Sequence, residues 1–224
     1  MRYFFDLDGT LIDSSRRHAV VLSVVLSEYG LSIPIDRLED FVSYKSHGFS
    51  TLDYLNNILG IDVATSHTIS HRWVERIEDS EFLVHDTLYD DVFPVLDSFI
   101  SSDEILFISA RKNSESLMHE LDSLGILKYA KHVFVVDPIY AAVEKKNVLL
   151  QFGNSIPTLL IGDTEVEYHA SLDTGISVLL LNRGFRSKEY WDKLGISSYS
   201  NLHDALHHYH LSSISAQANN VVRK

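Results

Sequence analysis

The segment YFFDLDGTLIDS, residues 3–14, decides the fold because an apolar run ends in it at a pair of acids. An apolar run that stops at a turn signal predicts a strand buried inside a sheet. Asp6 and Asp8 are two residues apart, so in an extended chain both side chains project to the same side. Gly9 then permits a sharp turn. Carboxylates at the end of a central strand lie where open α/β sheets bind their ligands, so the search for a functional site begins here.

The composition is that of an acidic globular protein. The chain has 224 residues, of which 45% are hydrophobic, and a formal net charge of −12 at pH 7. Phosphate backbones favour a basic surface, so this charge argues against nucleic acid as a partner, although a small anionic substrate is compatible with it. No apolar run is long enough to span a bilayer and no leader precedes the first strand, so we expect no membrane partner. The absence of cysteine fits a cytoplasmic location, and the oligomeric state is left open.

Residues 15–87 show four successive helical patterns with no strand between them. Apolar residues recur at helical spacing, and Gly30 and Gly60 suit the ends of two helices. Four consecutive helices indicate an all-helical bundle. The first predicted helix starts at Ser14 or Ser15 and runs to Tyr29. A second follows Pro34, a third starts at Ser50, and a fourth covers about residues 66–81.

From residue 90 onward, helices alternate with short apolar strands, which is typical of parallel β-α units. We therefore predict an α/β core of residues 1–14 and 88–211 with a Rossmann-like parallel five-stranded sheet. Its strand order should be third, second, first, fourth, fifth, with the four-helix domain of residues 15–87 inserted and a polar C-terminal tail of residues 212–224. The later strands are predicted at 105–108, 132–136, 158–161 and 177–181, and the helices at 91–100, 114–124, 146–152, 165–172 and 201–210.

Two further predicted strands also end in polar segments. SARKN, residues 109–113, follows the second strand, and GDTEVE, residues 162–167, follows the fourth. Taken singly, such residues are usually turns, caps or solvated surface. Because the carboxyl ends of parallel strands meet at one edge, we expect Asp6, Ser109 and Asp163 to converge there within roughly 10 Å.

In this order the segments resemble the motifs of the haloacid dehalogenase-like hydrolase superfamily, in its phosphoglycolate phosphatase and β-phosphoglucomutase-like branch. That branch carries a helical cap after the first motif, where this chain has its helical insert. The resemblance implies a Mg²⁺-dependent phosphatase that hydrolyses a small phosphorylated metabolite through an aspartyl-phosphate. A β-phosphoglucomutase-like phosphomutase on a sugar phosphate is the alternative, and a binding scaffold without activity is a third. A mutase needs a bisphosphate primer and releases no net phosphate.

The resemblance also implies residue roles. Asp6 would be the nucleophile, and Asp8 the general acid and then the base. Asp6, Asp163 and the backbone carbonyl of Asp8 would hold Mg²⁺, which prefers oxygen ligands. Ser109 would hold phosphate oxygens together with N–H groups of the turns, and Lys145 would neutralise charge. The expected substrate-binding residues are Gly9, Thr10, His18, Lys45, Ala110 and Arg111, and Glu167, or less readily Glu165, would orient waters around the metal.

Several assignments stay open at this stage. Lys145 is favoured over Lys146 because Val148 and Leu149 would bury the helix face at +3 and +4 from it. Arg111 could reach the substrate or pair with a surface acid. The polar loop with Lys45, Ser46, His47 and Ser50 could grip the leaving group or be solvated. His203 and His207 share a helix face, but two histidines without a third ligand favour a surface position over a zinc site.

Overall fold

The computed structural model describes residues 1–34, 38–99, 101–152 and 156–221, without the side chains of residues 39 and 212–221. Its centre is a parallel sheet, and the strands are β1 (Arg2–Phe5), β4 (Glu104–Ser109), β5 (His132–Val135), β6 (Thr158–Gly162) and β7 (Ser177–Leu180). The five strands lie in the order β5-β4-β1-β6-β7, and each neighbouring pair is parallel. Counted along the core this is third, second, first, fourth, fifth, so the predicted fold class and strand order are confirmed.

The central strand β1 is apolar because both faces of the sheet are covered. Tyr3 and Phe5 belong to one hydrophobic cluster, whereas Phe4 belongs to a second cluster on the opposite face. Side chains alternate between the two faces of a strand, so a doubly covered parallel strand requires a continuous apolar run. Phe5 lies between Phe107 of β4 and Ile161 of β6 in the register. The next residue, an acid, therefore stands at the carboxyl end of the central strand.

Helices cover both faces of this sheet, as parallel crossovers require. One face carries α6 (Val92–Ser98), α7 (Ser114–Ser123) and α11 (Leu202–Val221). The other carries α8 (Ala141–Phe152) and α9 (Glu165–Ser171). A short helix, α10 (Lys188–Lys193), follows β7. Within the described ranges, none of the helices is long and apolar enough to cross a membrane.

A helical segment with its own hydrophobic cluster is inserted between β1 and β4. Its helices are α1 (Ser15–Glu28), α2 (Glu39–Ser46), α3 (Thr51–Asn57), α4 (Val63–Arg76) and the one-turn α5 (Ser80–Leu83). Leu22, Phe41, Tyr54 and Trp73, one from each of the four longer helices, pack together in this cluster. At the base of the segment, the short strands β2 (Ile12–Asp13) and β3 (Thr87–Leu88) pair antiparallel. The chain therefore leaves and re-enters the α/β core through neighbouring strands.

Some elements differ from the sequence prediction. The β2–β3 pair and α5 are too short to show a periodicity, so the sequence did not reveal them. Helix α8 starts at Ala141, earlier than the predicted Lys146, and follows a 3₁₀ turn over Pro138–Tyr140. Helix α11 continues to Val221, so the predicted tail is helical up to that residue. The predictions that involve residues 35–37, Ile100, Gly153 and residues 222–224 fall outside the described residues.

Candidate active site

The carboxyl ends of three adjacent strands bring the predicted strand-end residues to one edge of the sheet. Asp6 follows β1 and donates its backbone N–H to the carbonyl of Ile161 in β6, at 2.9 Å. Ser109 is the last residue of β4, and Asp163 directly follows β6. All three side chains are buried. This edge is where a doubly wound sheet forms its ligand-binding crevice.

The turn after Asp8 presses against Asp163. Gly9 has a φ of +80°, and a Cβ at this position would lie 2.2 Å from Oδ2 of Asp163, so only glycine fits. The hydroxyl of Thr10 donates to Oδ1 of Asp163 at 3.3 Å. The N–H groups of Gly9 and Thr10 donate within the turn, to the carbonyls of Ile12 and Leu7. In this structure both residues shape the turn, and Thr10 also holds Asp163. The substrate contact expected for them stays a prediction.

A segment that the sequence did not single out covers Asp163 from the other side. The backbone N–H of Phe185 donates to Oδ2 of Asp163 at 2.5 Å. Gly184 approaches so closely that a Cβ there would lie 2.1 Å from the same oxygen atom and 2.5 Å from the Cα of Gly9. Burial raises the pKa of Asp163 well above its ordinary value, and the neighbouring Asp6 adds to the increase. The loop after β7 is thus part of the site.

Of the two candidate lysines, Lys145 lies in the site. Its ammonium contacts Oδ1 of Asp6 at 2.5 Å and Oε1 of Glu167 at 2.6 Å. Burial alone would lower the pKa of Lys145, but the two acids outweigh this effect and raise it, so the side chain stays charged. Lys146 instead faces the surface, where it contacts Asp173 at 3.4 Å.

The two glutamates after Asp163 have protein partners. Glu167 holds Lys145 and also accepts from the N–H and hydroxyl of Thr164 in a capping box at the start of α9. Glu165 pairs with the guanidinium of Arg186 at 2.5 Å. Both carboxylates therefore hold cationic side chains. Their expected role in orienting waters around a metal stays a prediction.

The charges at the sheet edge fit a divalent cation. Asp6, Asp163 and Glu167 are buried around one ammonium group, that of Lys145. Burial raises the pKa of Asp6 to about 7, against the lowering effect of Lys145. Among the described residues, no three His, Cys, Asp or Glu side chains form a ready-made metal-binding group. His203 stacks on His207 and lies 3.6 Å from Asp204. Two carboxylates, a carbonyl and the substrate are a donor set that suits Mg²⁺.

Asp8 is held by two buried arginines. Its Oδ1 accepts from Arg17 at 2.5 Å and from Nη2 of Arg111 at 2.8 Å, and its Oδ2 accepts from Nε of Arg111 at 2.7 Å. Burial would raise the pKa of Asp8, but Arg111 and Arg17 reverse this and hold it far below its ordinary value. Arg111 also contacts the buried Glu120 at 2.8 Å, so it pairs with acids inside the site and not with a surface acid. The arrangement favours the carboxylate form of Asp8.

A cavity of about 220 Å³ opens beside Asp8 between the core and the helical segment. Ala110 and Arg111 line it from the core side, and His18 and Trp73 from the helical side. The ring of His18 packs against those of Trp73 and Phe185, with centroids 5.1 and 4.6 Å away. Burial lowers the pKa of His18 well below its ordinary value, so this imidazole is neutral at pH 7. The cavity thus has Asp8 and the two arginines on one side and the rings of His18, Trp73 and Phe185 on the other.

Lys45 lies next to these rings. Its ammonium is 4.4 Å from the ring centroid of Trp73, 5.3 Å from that of Phe41 and 5.6 Å from that of Phe185. No ion pair joins it to an acid in the part of the chain that the structure describes. Burial, followed by repulsion from Arg186, lowers the pKa of Lys45 to about 7. The amine is therefore only partly protonated at pH 7, and an anionic ligand beside it would favour the charged form.

Backbone contacts tie the helical segment to the core around the cavity. The N–H of Ser187 donates to the carbonyl of Ser46 at 2.8 Å. The carboxylate of Glu78 accepts from the N–H groups of Lys112 and Asn113 at 2.9–3.0 Å. In this structure an acid of the helical segment therefore occupies two N–H groups of the turn after β4. The other predicted loop residues, His47 and Ser50, are exposed, and Ser50 caps α3.

Sequence reasoning missed the residues that surround Asp8 from outside the motifs. Arg17 was one such residue, although its position offered a signal: basic residues in the first turn of a helix oppose the helix dipole. Asp86 and Glu120 gave no local signal, since an isolated acid in a loop or on a helix is most often solvated. Their burial follows only from the tertiary packing.

Comparisons with known proteins identify the family and the fold. Residues 3–181 match the family of haloacid dehalogenase-like hydrolases. Curated proteins give no match. Among solved structures the chain is similar to an inferred phosphatase from Clostridium difficile, with 17% identity over 90% of this chain and 94% of that chain and a TM-score of 0.71. It is also similar to an inferred phosphoglycolate phosphatase from Lactobacillus delbrueckii subsp. bulgaricus (16% identity, 92% of this chain, 95% of that chain, TM-score 0.65). A third similar structure is a haloacid dehalogenase family hydrolase from Deinococcus radiodurans with bound phosphate and sodium. It has 19% identity over 92% of this chain and 92% of that chain, with a TM-score of 0.61.

At these identities the solved structures establish the fold alone. The family match is more informative because residues 3–181 span the chain from β1 to the end of β7 and include every strand-end segment of the site. The resemblance seen in the motifs is thereby confirmed: the chain belongs to the haloacid dehalogenase-like hydrolase family, and is an enzyme of the hydrolase class with a fold shared by phosphatases.

Proposed function

We propose that the protein is a Mg²⁺-dependent phosphatase that hydrolyses a small phosphomonoester through a phosphorylated Asp6. The observation that carries this proposal is the contact of Lys145 with Asp6 at 2.5 Å, beside Asp163, at the edge of the sheet. A carboxylate can attack an anionic phosphate only if nearby positive charge offsets the repulsion. Lys145 supplies one such charge, and the excess of buried acids provides a site for a divalent cation.

In the first step, a carboxylate oxygen of Asp6 forms a bond to phosphorus while the bond to the leaving oxygen breaks. Lys145 fixes the orientation of Asp6, and Glu167 fixes that of Lys145. Asp6, Asp163 and the carbonyl oxygen of Asp8 would hold Mg²⁺. When bound, the metal would neutralise charge on the transferring phosphoryl group.

We assign the proton transfers to Asp8. The leaving oxygen receives a proton from Asp8 in the first step, and Asp8 removes a proton from the attacking water in the second. The ion pairs with Arg17 and Arg111 favour the carboxylate and so support the second role. The first role requires Asp8 to take up a proton, which is favoured when the negative charge of a bound phosphate lies beside its carboxylate.

The size and lining of the cavity favour a small substrate. Liquid water occupies about 30 Å³ per molecule, so a cavity of about 220 Å³ corresponds to about seven waters. Lys45 offers an unpaired cation, and the solved relative described as a phosphoglycolate phosphatase makes phosphorylated hydroxy acids the first compounds to test. We further propose that residues 15–87 act as a cap domain over the core of residues 1–14 and 88–211. Cap movement would admit the substrate and exclude water.

The test is phosphate release from a panel of phosphorylated metabolites in the presence of Mg²⁺. We expect turnover with at least one small phosphomonoester, and no turnover with the Asp6→Asn variant. If the protein instead interconverts sugar phosphates, requires a bisphosphate primer and releases no net phosphate, it is a phosphomutase. The absence of both activities across the panel would refute the proposal.

A further inference from the structure

A closed ring of ion pairs lies behind the substrate cavity. Arg17 contacts Asp8 at 2.5 Å and Asp86 at 3.3 Å. Arg111 contacts Asp8 at 2.7 Å, Asp86 at 3.5 Å and Glu120 at 2.8 Å. Asp8 is thus in front of the two guanidinium groups, and Asp86 and Glu120 are behind them.

The two rear acids have no role in the chemistry proposed above. They line a second cavity, of about 500 Å³, while Asp8 and the arginines line the substrate cavity. The side chains of Asp86 and Glu120 are only 0% and 3% exposed. The arginines therefore form the wall between two cavities, with acids on each side of it.

The charges of this cluster do not balance when all its members are ionised. The three acids carry one more charge than the two arginines, and a buried unbalanced charge is strongly unfavourable. Oδ1 of Asp86 and Oε1 of Glu120 are both buried without a hydrogen-bond partner. A single proton held between these two carboxyl groups would restore the balance and satisfy both atoms.

The electrostatics around Asp86 support such a proton. The charged and titratable groups that face it are Arg17 from α1, Arg111 after β4, Glu120 and His119 from α7, and Asp8 after β1. Burial raises the pKa of Asp86 to about 9, with Arg17 acting against the increase and Glu120 and Asp8 adding to it. The proton is therefore retained at neutral pH.

We propose that Asp86 and Glu120 are positioning residues that share one proton and act as a single negative charge behind Arg17 and Arg111. This charge fixes the two guanidinium groups between the rear pair and Asp8. It also offsets their positive charge, so that the wall of the substrate cavity does not retain the phosphate product. The link to phosphate rests on the proposed function.

The test is a double-mutant cycle with inorganic phosphate as the probe, measured by titration calorimetry at pH 7. Asp86→Asn and Glu120→Gln each remove one acid together with the shared proton, so the charge of the cluster is conserved. Each should change the Kd for phosphate by less than about threefold. The double variant leaves two arginines with Asp8 alone, so phosphate should bind at least about tenfold tighter, because a unit charge acts across a few ångströms of low-dielectric interior. Asp122→Asn, an exposed acid on α7, is the matched control and should change nothing.

A second measurement uses only the single variants, in case the double variant does not fold. As pH rises through about 9 the native cluster loses its proton and becomes negative, so phosphate should bind more weakly. Asp86→Asn has no shared proton to lose, so its Kd should rise less through this window than that of the native protein, because the loss of charge by Lys45 is common to both. Additive effects in the cycle, or the same pH profile in both proteins, would overturn the proposal. These readouts need no turnover, so they remain informative if the phosphatase assay fails.

Discussion

Replacing Asp8 with asparagine separates the roles assigned to the two aspartates. Asp8→Asn keeps the backbone carbonyl and the size of the side chain but removes the carboxylate charge. Asp8 accepts three hydrogen bonds from Arg17 and Arg111, and an amide oxygen can retain part of this set. Each arginine also keeps a second acid, Asp86 or Glu120. We therefore expect a stability loss of about 1.5–3 kcal/mol, that of a charge-assisted hydrogen bond, and not the larger cost of an orphaned buried ion.

The effect on catalysis should depend on the leaving group. General acid catalysis contributes about 10²–10⁴-fold, or about 3–5 kcal/mol in the barrier. An alkyl phosphate should lose this whole factor in the phosphorylation step of Asp8→Asn. p-Nitrophenyl phosphate should lose little, because its leaving group needs no proton. Dephosphorylation would still lack its base, so phosphorylated Asp6 should accumulate.

The assay is rapid-quench measurement of p-nitrophenolate and of labelled enzyme. We expect a burst of p-nitrophenolate near one equivalent of enzyme, followed by slow steady-state release. Asp13→Asn is the matched control, because it removes the same charge five residues further on and should behave like the native protein. Equal loss of the phosphorylation rate with both substrates would remove Asp8 from the acid role.

Three further predictions follow from the site. EDTA should abolish phosphate release and Mg²⁺ should restore it, whereas Ca²⁺ should bind without supporting turnover, and full activity in EDTA would contradict the metal assignment. Burial and Arg186 lower the pKa of Lys45 from its ordinary value of 10.5 to about 7. Between these two pH values the folded state binds fewer protons than the unfolded state, so the free energy of unfolding falls as the pH falls. Lys45→Met should therefore raise the melting temperature most at pH 7 and least near pH 10.5, and an equal increase at both would disprove this. Gly184→Ala should abolish activity, because its Cβ would meet Asp163 at 2.1 Å. Gly60→Ala, with a φ of +68° but no atom within 4 Å of its Cβ, should lose some stability and stay active.

The sheet and its edge could be predicted because their signals are local. Each strand is an apolar run, and Asp6, Ser109 and Asp163 follow such runs directly, so parallel packing alone brings them together. Lys145 was identifiable from the helix face that its apolar neighbours define. These inferences required only the order of segments along the chain.

The surroundings of Asp8 could not be predicted because they depend on pairings between distant residues. Arg17 is separated from Asp86 by most of the helical insert, and Arg111 meets both across the core boundary. Glu78 likewise reaches N–H groups of a loop more than thirty residues away. A single sequence contains no periodicity that reports such contacts. They decide the protonation of the site and had to be read from the structure.

Trp73 lies at the cavity, so its intrinsic fluorescence is sensitive to the surroundings of that cavity. The chain has two tryptophans, and Trp191 is fully buried in the core, where its indole N–H donates to the carbonyl of Leu181. Trp73 instead lines the substrate cavity, with the ammonium of Lys45 4.4 Å from its ring. In a Trp191→Phe variant all tryptophan emission comes from this boundary between insert and core. We expect its intensity to change when a ligand binds in the cavity or when the proposed cap moves, without an added label.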